Sequence, residues 1–178
     1  PENQVVGGTF DNIPLCERND QVGCIVTYAT YRETEPPGEN GVFGRTGTPG
    51  VVAGCNQPAA LSGGRSPLQM IMLTNAPPAI NSFIRMSQGP FADTERDAEV
   101  TTPFFSLPGF LEGECVPRGG FNYLEIYINA DPEDARADDI SGDLLLDGWG
   151  LHLMDVNLAI GDISDLIQDQ SEAFLNGQ

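Results

Sequence analysis

In 178 residues the chain carries 26 acidic and 8 basic side chains, a formal net charge of −18; every basic residue is arginine, and there is a single histidine. A field of that sign repels phosphate backbones and anionic headgroups, which excludes nucleic acid and acidic membrane surfaces as partners. No window approaches the roughly 18 consecutive apolar residues of a membrane span, and no basic stretch leading into an apolar one opens the chain, so a soluble protein with no transmembrane segment is expected.

The hydrophobic content of 40% suffices for one core, and residues 1–178 read as a single α/β domain or part of one. At the N-terminal end, "NQVVGGTF" and "GCIVTYATY" are short β-branched and aromatic runs, and "DNIPLCERNDQV" between them carries turn residues, so both runs predict strands. From 33 to 118 glycine and proline recur every few residues, which predicts an irregular, cap- or lid-like insertion. Its one apolar run, "LQMIMLTN", fits a helix or a strand. The last part, 119–178, begins with "FNYLEIYINA", whose alternation sends Tyr123, Glu125 and Tyr127 to one face and Leu124, Ile126 and Ile128 to the other, the clearest strand pattern in the chain. An acidic loop, 131–147, follows. The chain then closes with a predicted amphipathic helix over 155–174. Val156, Ile160, Ile163, Ile167 and Phe174 recur on one face, with Leu153 and Leu166 beside them, and Asp162, Asp165 and Asp169 lie opposite. Asp155 sits where a first-turn acid or N-cap would accept backbone N–H groups.

Four cysteines, Cys16, Cys24, Cys55 and Cys115, include no close pair of the kind zinc sites use. Two disulfides are expected, in one of three connectivities; a local Cys16–Cys24 loop with a long-range Cys55–Cys115 bridge is preferred, pinning both ends of the insertion. Disulfides imply an oxidising compartment, hence a secreted or periplasmic protein. In the acidic loop, Asp131, Glu133, Asp134, Asp138, Asp139, Asp143 and Asp147 are hard oxygen donors. Ala135 falls at a ligand position of the common calcium-loop spacing, so a solvated loop is the preferred reading. Neither a metal nor a cofactor is expected.

His152 lies between the last predicted strand and the last helix, the position of the catalytic histidine in α/β-hydrolases. The stretch "GWGLHLMDVNLAIGDI" resembles the terminal motif of a lipase-like bacterial α/β-hydrolase family of unassigned function, with His152, Asp155, Asn157 and Leu158 at the matching positions. "LCERNDQVGCIVTYATYR" and "GCNQPAAL" resemble further stretches of that family. The resemblance implies an α/β fold with a mostly parallel sheet, a small-molecule or lipid ester substrate, and a serine nucleophile on a GHSQG-type elbow. No such elbow occurs in this sequence. "VVGGTF" resembles the strand that follows the nucleophile helix, so the chain corresponds to the C-terminal half of such an enzyme, inactive alone, with His152 as general base for a serine outside it. For the triad acid the preferred candidate is Glu33, after "GCIVTYATYR", with the aspartates of the acidic loop as alternatives; Asp155 reads as a helix cap. Ser87 in "RMSQGP" shares Ser-Gln-Gly with the elbow, but Arg85 occupies a flank that needs a small residue. The expected function is therefore the base-bearing portion of a secreted serine esterase or lipase with a companion N-terminal segment. The alternative is a non-catalytic extracellular structural or binding module that forms a homo-oligomer.

Overall fold

The computed structural model describes residues 11–73, 101–130, 133, 140 and 146–177. Among these residues there are six strands and two helices: β1 (Thr30–Arg32), β2 (Ser66–Leu68), β3 (Met72–Leu73), β4 (Phe104–Phe105), β5 (Leu111–Arg118), β6 (Phe121–Ile128), then a 3-10 turn over His152–Met154 that runs into α1 (Asp155–Leu158) and α2 (Ile160–Asn176). Four strands make one sheet in the order β1-β6-β5-β2, and β3 pairs with β4 separately. The run "NQVVGGTF" and the candidate Ser87 lie outside the described residues.

The sheet is mixed, an α/β arrangement that departs from the mostly parallel one expected. β1 runs parallel to β6, whereas β5–β6 and β2–β5 are antiparallel. The reason lies in two glycines. Gly119 and Gly120 adopt φ of 60° and 85°, and a two-residue connection with both residues in the left-handed region joins strands only as a hairpin. The eight residues of β5 therefore pair with β6 from Leu111↔Ile128 to Arg118↔Phe121, inside a segment expected to be irregular. Pro117, Gly113 and the surrounding turn residues lower the local β signal. At Gly113 a Cβ would lie 3.0 Å from Leu68 and 3.1 Å from Leu124, so the absent side chain is what lets the core close there.

Both faces of β6 are buried. Leu124 and Ile126 join Leu111, Leu68, Met70, Leu151, Met154 and Leu158 in the main core, each contributing about 1.5–3 kcal/mol on burial. On the other face Tyr123 packs edge-to-face on Tyr31, with ring centroids 5.3 Å apart. Glu125 shares that side, buried but fully engaged: Tyr123 and Tyr127 donate their hydroxyls at 2.9 and 2.7 Å, and Arg118 pairs with it at 2.7 Å. The expected strand "GCIVTYATY" is shorter than its pattern implies. Only Thr30–Arg32 enters the ladder, because Thr27 bonds instead to Asn56, its N–H donating to the amide oxygen at 2.8 Å and its carbonyl accepting from the Asn56 N–H at 2.9 Å. Within "LQMIMLTN", Leu68 closes β2 and Met72–Leu73 form β3.

The terminal helix is broken at Ala159, where φ is −137°, and its packing face differs from the one its periodicity implies. Leu158, Ala159, Leu166 and Asp162 face inward, while Val156, Ile167 and Phe174 are 57%, 60% and 55% exposed. Polar pins to the segment after β2 set this rotation. Gln69 N donates to Asp162 Oδ2 at 2.8 Å, Gly161 N donates to Gln69 O at 3.0 Å, and Ile71 N donates to Asn157 O at 3.0 Å. A Cβ on Gly161 would stand 2.5 Å from Gln69 Cβ, so glycine is needed for this approach.

Both preferred disulfides are formed, Cys16–Cys24 and Cys55–Cys115, and no cysteine is free. Such bridges persist in oxidising, secretory environments. No helix among the described residues is long and apolar enough to cross a membrane. The sequence separations closed by the bridges are 8 and 60 residues. Replacing Cys55 and Cys115 together by alanine is expected to lower the unfolding free energy by about 4 kcal/mol, against about 2.5 kcal/mol for Cys16 and Cys24, because the longer loop removes more entropy from the unfolded chain. Urea denaturation of the two variants measures the difference.

Candidate active site

The loop that presents His152 is shaped by two glycines at positive φ, Gly148 at 78° and Gly150 at 58°. A Cβ on Gly148 would fall 2.1 Å from Asn40 O, and one on Gly150 2.4 Å from the Tyr31 ring, so neither position accepts a side chain. This close approach lets Tyr31 donate its hydroxyl to Gly148 O at 3.0 Å and Leu151 N donate to Thr30 O at 2.9 Å. Leu151 is fully buried behind the loop. The next residue, His152, begins the 3-10 turn with its side chain 37% exposed.

The imidazole is held from two directions. One face of the ring stacks on Phe43, with centroids 3.7 Å apart, and Trp149 stands edge-on at 6.1 Å. In the ring plane, Nδ1 lies 2.6 Å from Asp155 Oδ2. A carboxylate on Nδ1 selects the tautomer protonated there and leaves the lone pair on Nε2, the arrangement a general base needs. Asp155 is fixed in turn by β1: its Oδ1 accepts the Thr30 N–H at 3.1 Å and also the Thr30 hydroxyl, in a very short bond. Tyr28 donates its hydroxyl to the Asp155 carbonyl at 3.0 Å. Burial pushes the Asp155 carboxyl above the usual aspartate range, opposed by the bonds from Thr30 and His152. Burial likewise raises the Tyr28 phenol, so it acts as a neutral donor.

His152 and Asp155 open onto a cleft of about 570 Å³ between α1 and α2 on one side and the Cys16–Cys24 loop with Ile25–Tyr28 on the other. Its lining is mainly aliphatic and, among the described residues, includes no serine. An imidazole held this way at the lining of a cleft can act as a proton acceptor through Nε2. Among the described residues no group of three or more His, Cys, Asp or Glu is placed to hold a metal ion.

The structure does not bring Glu33 to the imidazole. Glu33 follows β1, its N–H donates to Ile126 O at 3.1 Å, and its Oε2 is buried with no hydrogen-bond partner among the described residues. The carboxylate at His152 is Asp155, which sequence reasoning read as a first-turn acid or N-cap; it does lie in the first turn of α1, but its side chain makes no cap, its oxygens being bonded to Thr30 and His152. Of the acidic loop, Asp147 accepts from Asn40 Nδ2 at 2.9 Å, and most of 131–147 lies outside the described residues. Thr30 and Phe43 were not singled out by sequence. Spacing could have found Asp155, since residues three apart on a helical turn share a face. In "GCNQPAAL", Asn56 is structural: besides its exchange with Thr27, its Nδ2 donates to Cys16 O at 2.9 Å and so anchors the wall of the cleft.

With one histidine in the chain, its ring signals assign themselves. A far-downfield, exchange-protected Nδ1 proton is expected in the NMR spectrum at neutral pH, and Asp155→Asn is expected to abolish it while Glu33→Gln leaves it in place. Asp162, like Asp155, has its carboxyl pushed up by burial. Each therefore binds a proton more tightly in the folded chain than in the unfolded one. Their contribution to stability is greatest below the ordinary aspartate range and is lost as pH rises through their raised values. Asp162→Asn is expected to flatten this fall by up to about 1.4 kcal/mol per pH unit, measured as urea unfolding free energies between about pH 4 and about pH 7. Set beside known proteins, the chain matches no family model, no curated protein and no solved structure.

Proposed function

We propose that His152 and Asp155 are the base and orienting acid of a serine ester hydrolase of the α/β-hydrolase type, secreted, whose nucleophile lies outside the described residues. The observation that carries this reading is the 2.6 Å bond from Asp155 to Nδ1 of a histidine that lines an apolar cleft. The local frame supports it: a parallel strand pair, β1 and β6, precedes the histidine loop, and a helix follows it. So does the resemblance of the "GWGLHLMDVNLAIGDI" stretch to hydrolase sequences.

In this scheme Nε2 takes the proton of a serine hydroxyl as its oxygen bonds to the ester carbonyl carbon. The tetrahedral intermediate collapses as Nε2–H protonates the departing alkoxide. Water then repeats the sequence on the acyl-enzyme, restoring serine and releasing the acid. Asp155 keeps the ring in one tautomer and stabilises the imidazolium formed in between, and Phe43 prevents the ring from turning away.

A second reading, a non-catalytic extracellular module that self-associates, is favoured by the exposed aliphatic and aromatic residues of the terminal helix, Val156, Ile167 and Phe174. Fluorophosphonate labelling of the protein isolated from its natural source separates the two. A labelled serine, with the labelling rate lowered about four orders of magnitude by Asp155→Asn and at least as far by His152→Ala, is the expected outcome. Absence of any labelled serine in a folded sample that retains the Nδ1 signal would establish the module.

A further inference from the structure

We infer that Tyr31 of β1 is a positioning residue for His152: its hydroxyl clamps together the two loops that carry Phe43 and the histidine, and so holds the phenyl ring on the face of the imidazole. The chemical meaning of this rests on the base reading above, and the inference goes beyond that reading by naming what sets the orientation of the ring. A hydrogen bond at Nδ1 fixes the imidazole in one direction and still lets it swing about that bond, so a contact on the ring face is needed to stop the swing. β1 supplies both restraints from consecutive residues, whose side chains leave opposite faces of a strand. Thr30 holds Asp155, which bonds Nδ1. Tyr31, packed edge-to-face on Tyr123 and 2% exposed, holds Phe43. Its hydroxyl accepts the Phe43 N–H at 3.2 Å and donates to Gly148 O at 3.0 Å. With one proton to give, it serves that carbonyl in preference to Phe43 O, which lies at 3.3 Å.

The clamp has little slack. Val42 N donates to the same Gly148 O at 3.0 Å, and Asn40 Nδ2 donates to Asp147 at 2.9 Å, so the two loops are joined on both sides of the tyrosine hydroxyl. One residue beyond Phe43, Asn122 N donates to Gly44 O at 2.6 Å. Gly44 has a φ of 78°, and a Cβ there would lie 3.0 Å from Asn122 O, so this anchor also requires close backbone approach. Phe43 is therefore fastened before and after its own position. Its ring meets His152 with centroids 3.7 Å apart and planes inclined by 29°. Trp149, in the loop that Tyr31 holds, stands edge-on to Phe43 at 5.5 Å and backs the stack.

The test removes one oxygen from the whole chain and follows the imidazole by NMR. In Tyr31→Phe the Nδ1 proton of His152 is expected to exchange about tenfold faster, the weight of one or two lost hydrogen bonds, and the His152 ring protons are expected to lose their NOEs to Phe43. Tyr123→Phe is the control, because it takes a hydroxyl from the neighbouring core ring, with its bond to Glu125, and leaves the loops alone; native exchange and native NOEs are expected there. Phe43→Leu is expected to reproduce the faster exchange, and the double variant with Tyr31→Phe to be no faster than either alone, because the two residues act in series. Native exchange in Tyr31→Phe overturns the proposal. So does equal acceleration in Tyr31→Phe and Tyr123→Phe, which would reduce the hydroxyl to a general support of the core, and so do additive effects of Tyr31→Phe and Phe43→Leu. Should Tyr31→Phe fail to fold, the same comparison is made with Phe43→Leu against Tyr123→Phe, and native exchange in Phe43→Leu overturns the proposal. The base reading is decided separately by fluorophosphonate labelling, whose absence would leave the result for Tyr31 and the ring unchanged.

Discussion

The Asp155 carboxylate holds the C-terminal part of the molecule to its sheet. One oxygen accepts both donors of Thr30 on β1, and the other accepts His152, so a buried charge is met on every side by N–H and O–H groups. An unpaired carboxylate at that depth would cost several kcal/mol, whereas one with three charge-assisted partners is sustained. The same group thus fixes where the loop meets the strand and which nitrogen of the imidazole carries the proton. One side chain both ties the loop to the strand and orients the imidazole, and removing it disturbs both.

A second constraint is that polar pins outrank hydrophobic periodicity in orienting the terminal helix. The bonds joining Gln69 to Asp162 and Gly161, and Ile71 to Asn157, leave few rotations available. Leu158 and Leu166 satisfy the core in the rotation that results. The remaining aliphatic residues turn outward and become a wall of the cleft. A surface that would otherwise be a liability is thereby placed next to the imidazole.

How much of this was legible in the sequence follows from the range of each interaction. β6 was, because alternation over eight residues is a local signal. The pairing of the cysteines was, because separation alone favours one local and one long bridge. β5 was missed, because Pro117 and Gly113 mask strand propensity and the Gly119–Gly120 turn was read as irregularity. The helix face was misjudged, because the hydrogen bonds to Gln69 come from a residue about ninety positions away that no periodicity reveals. His152 was singled out from its place between strand and helix, and it lines the cleft. Its partner was read as a cap, since an acid at a helix start has an ordinary local use, and only the tertiary position of Thr30 shows that its oxygens are committed elsewhere.

The contact between the histidine loop and β1 bears on solubility as well as chemistry. Among the described residues β1 pairs within the sheet with β6 alone, and an edge strand is where another extended chain can add. The outward N–H and C=O of Thr30 are taken by Asp155 and Leu151, so the loop that carries the imidazole also seals the edge of the sheet against strand addition. Anything that loosens that loop, from a side chain at Gly150 to loss of the carboxylate, uncovers an aggregation-prone edge. Damage at this site would then be expected to show first as precipitation of the protein.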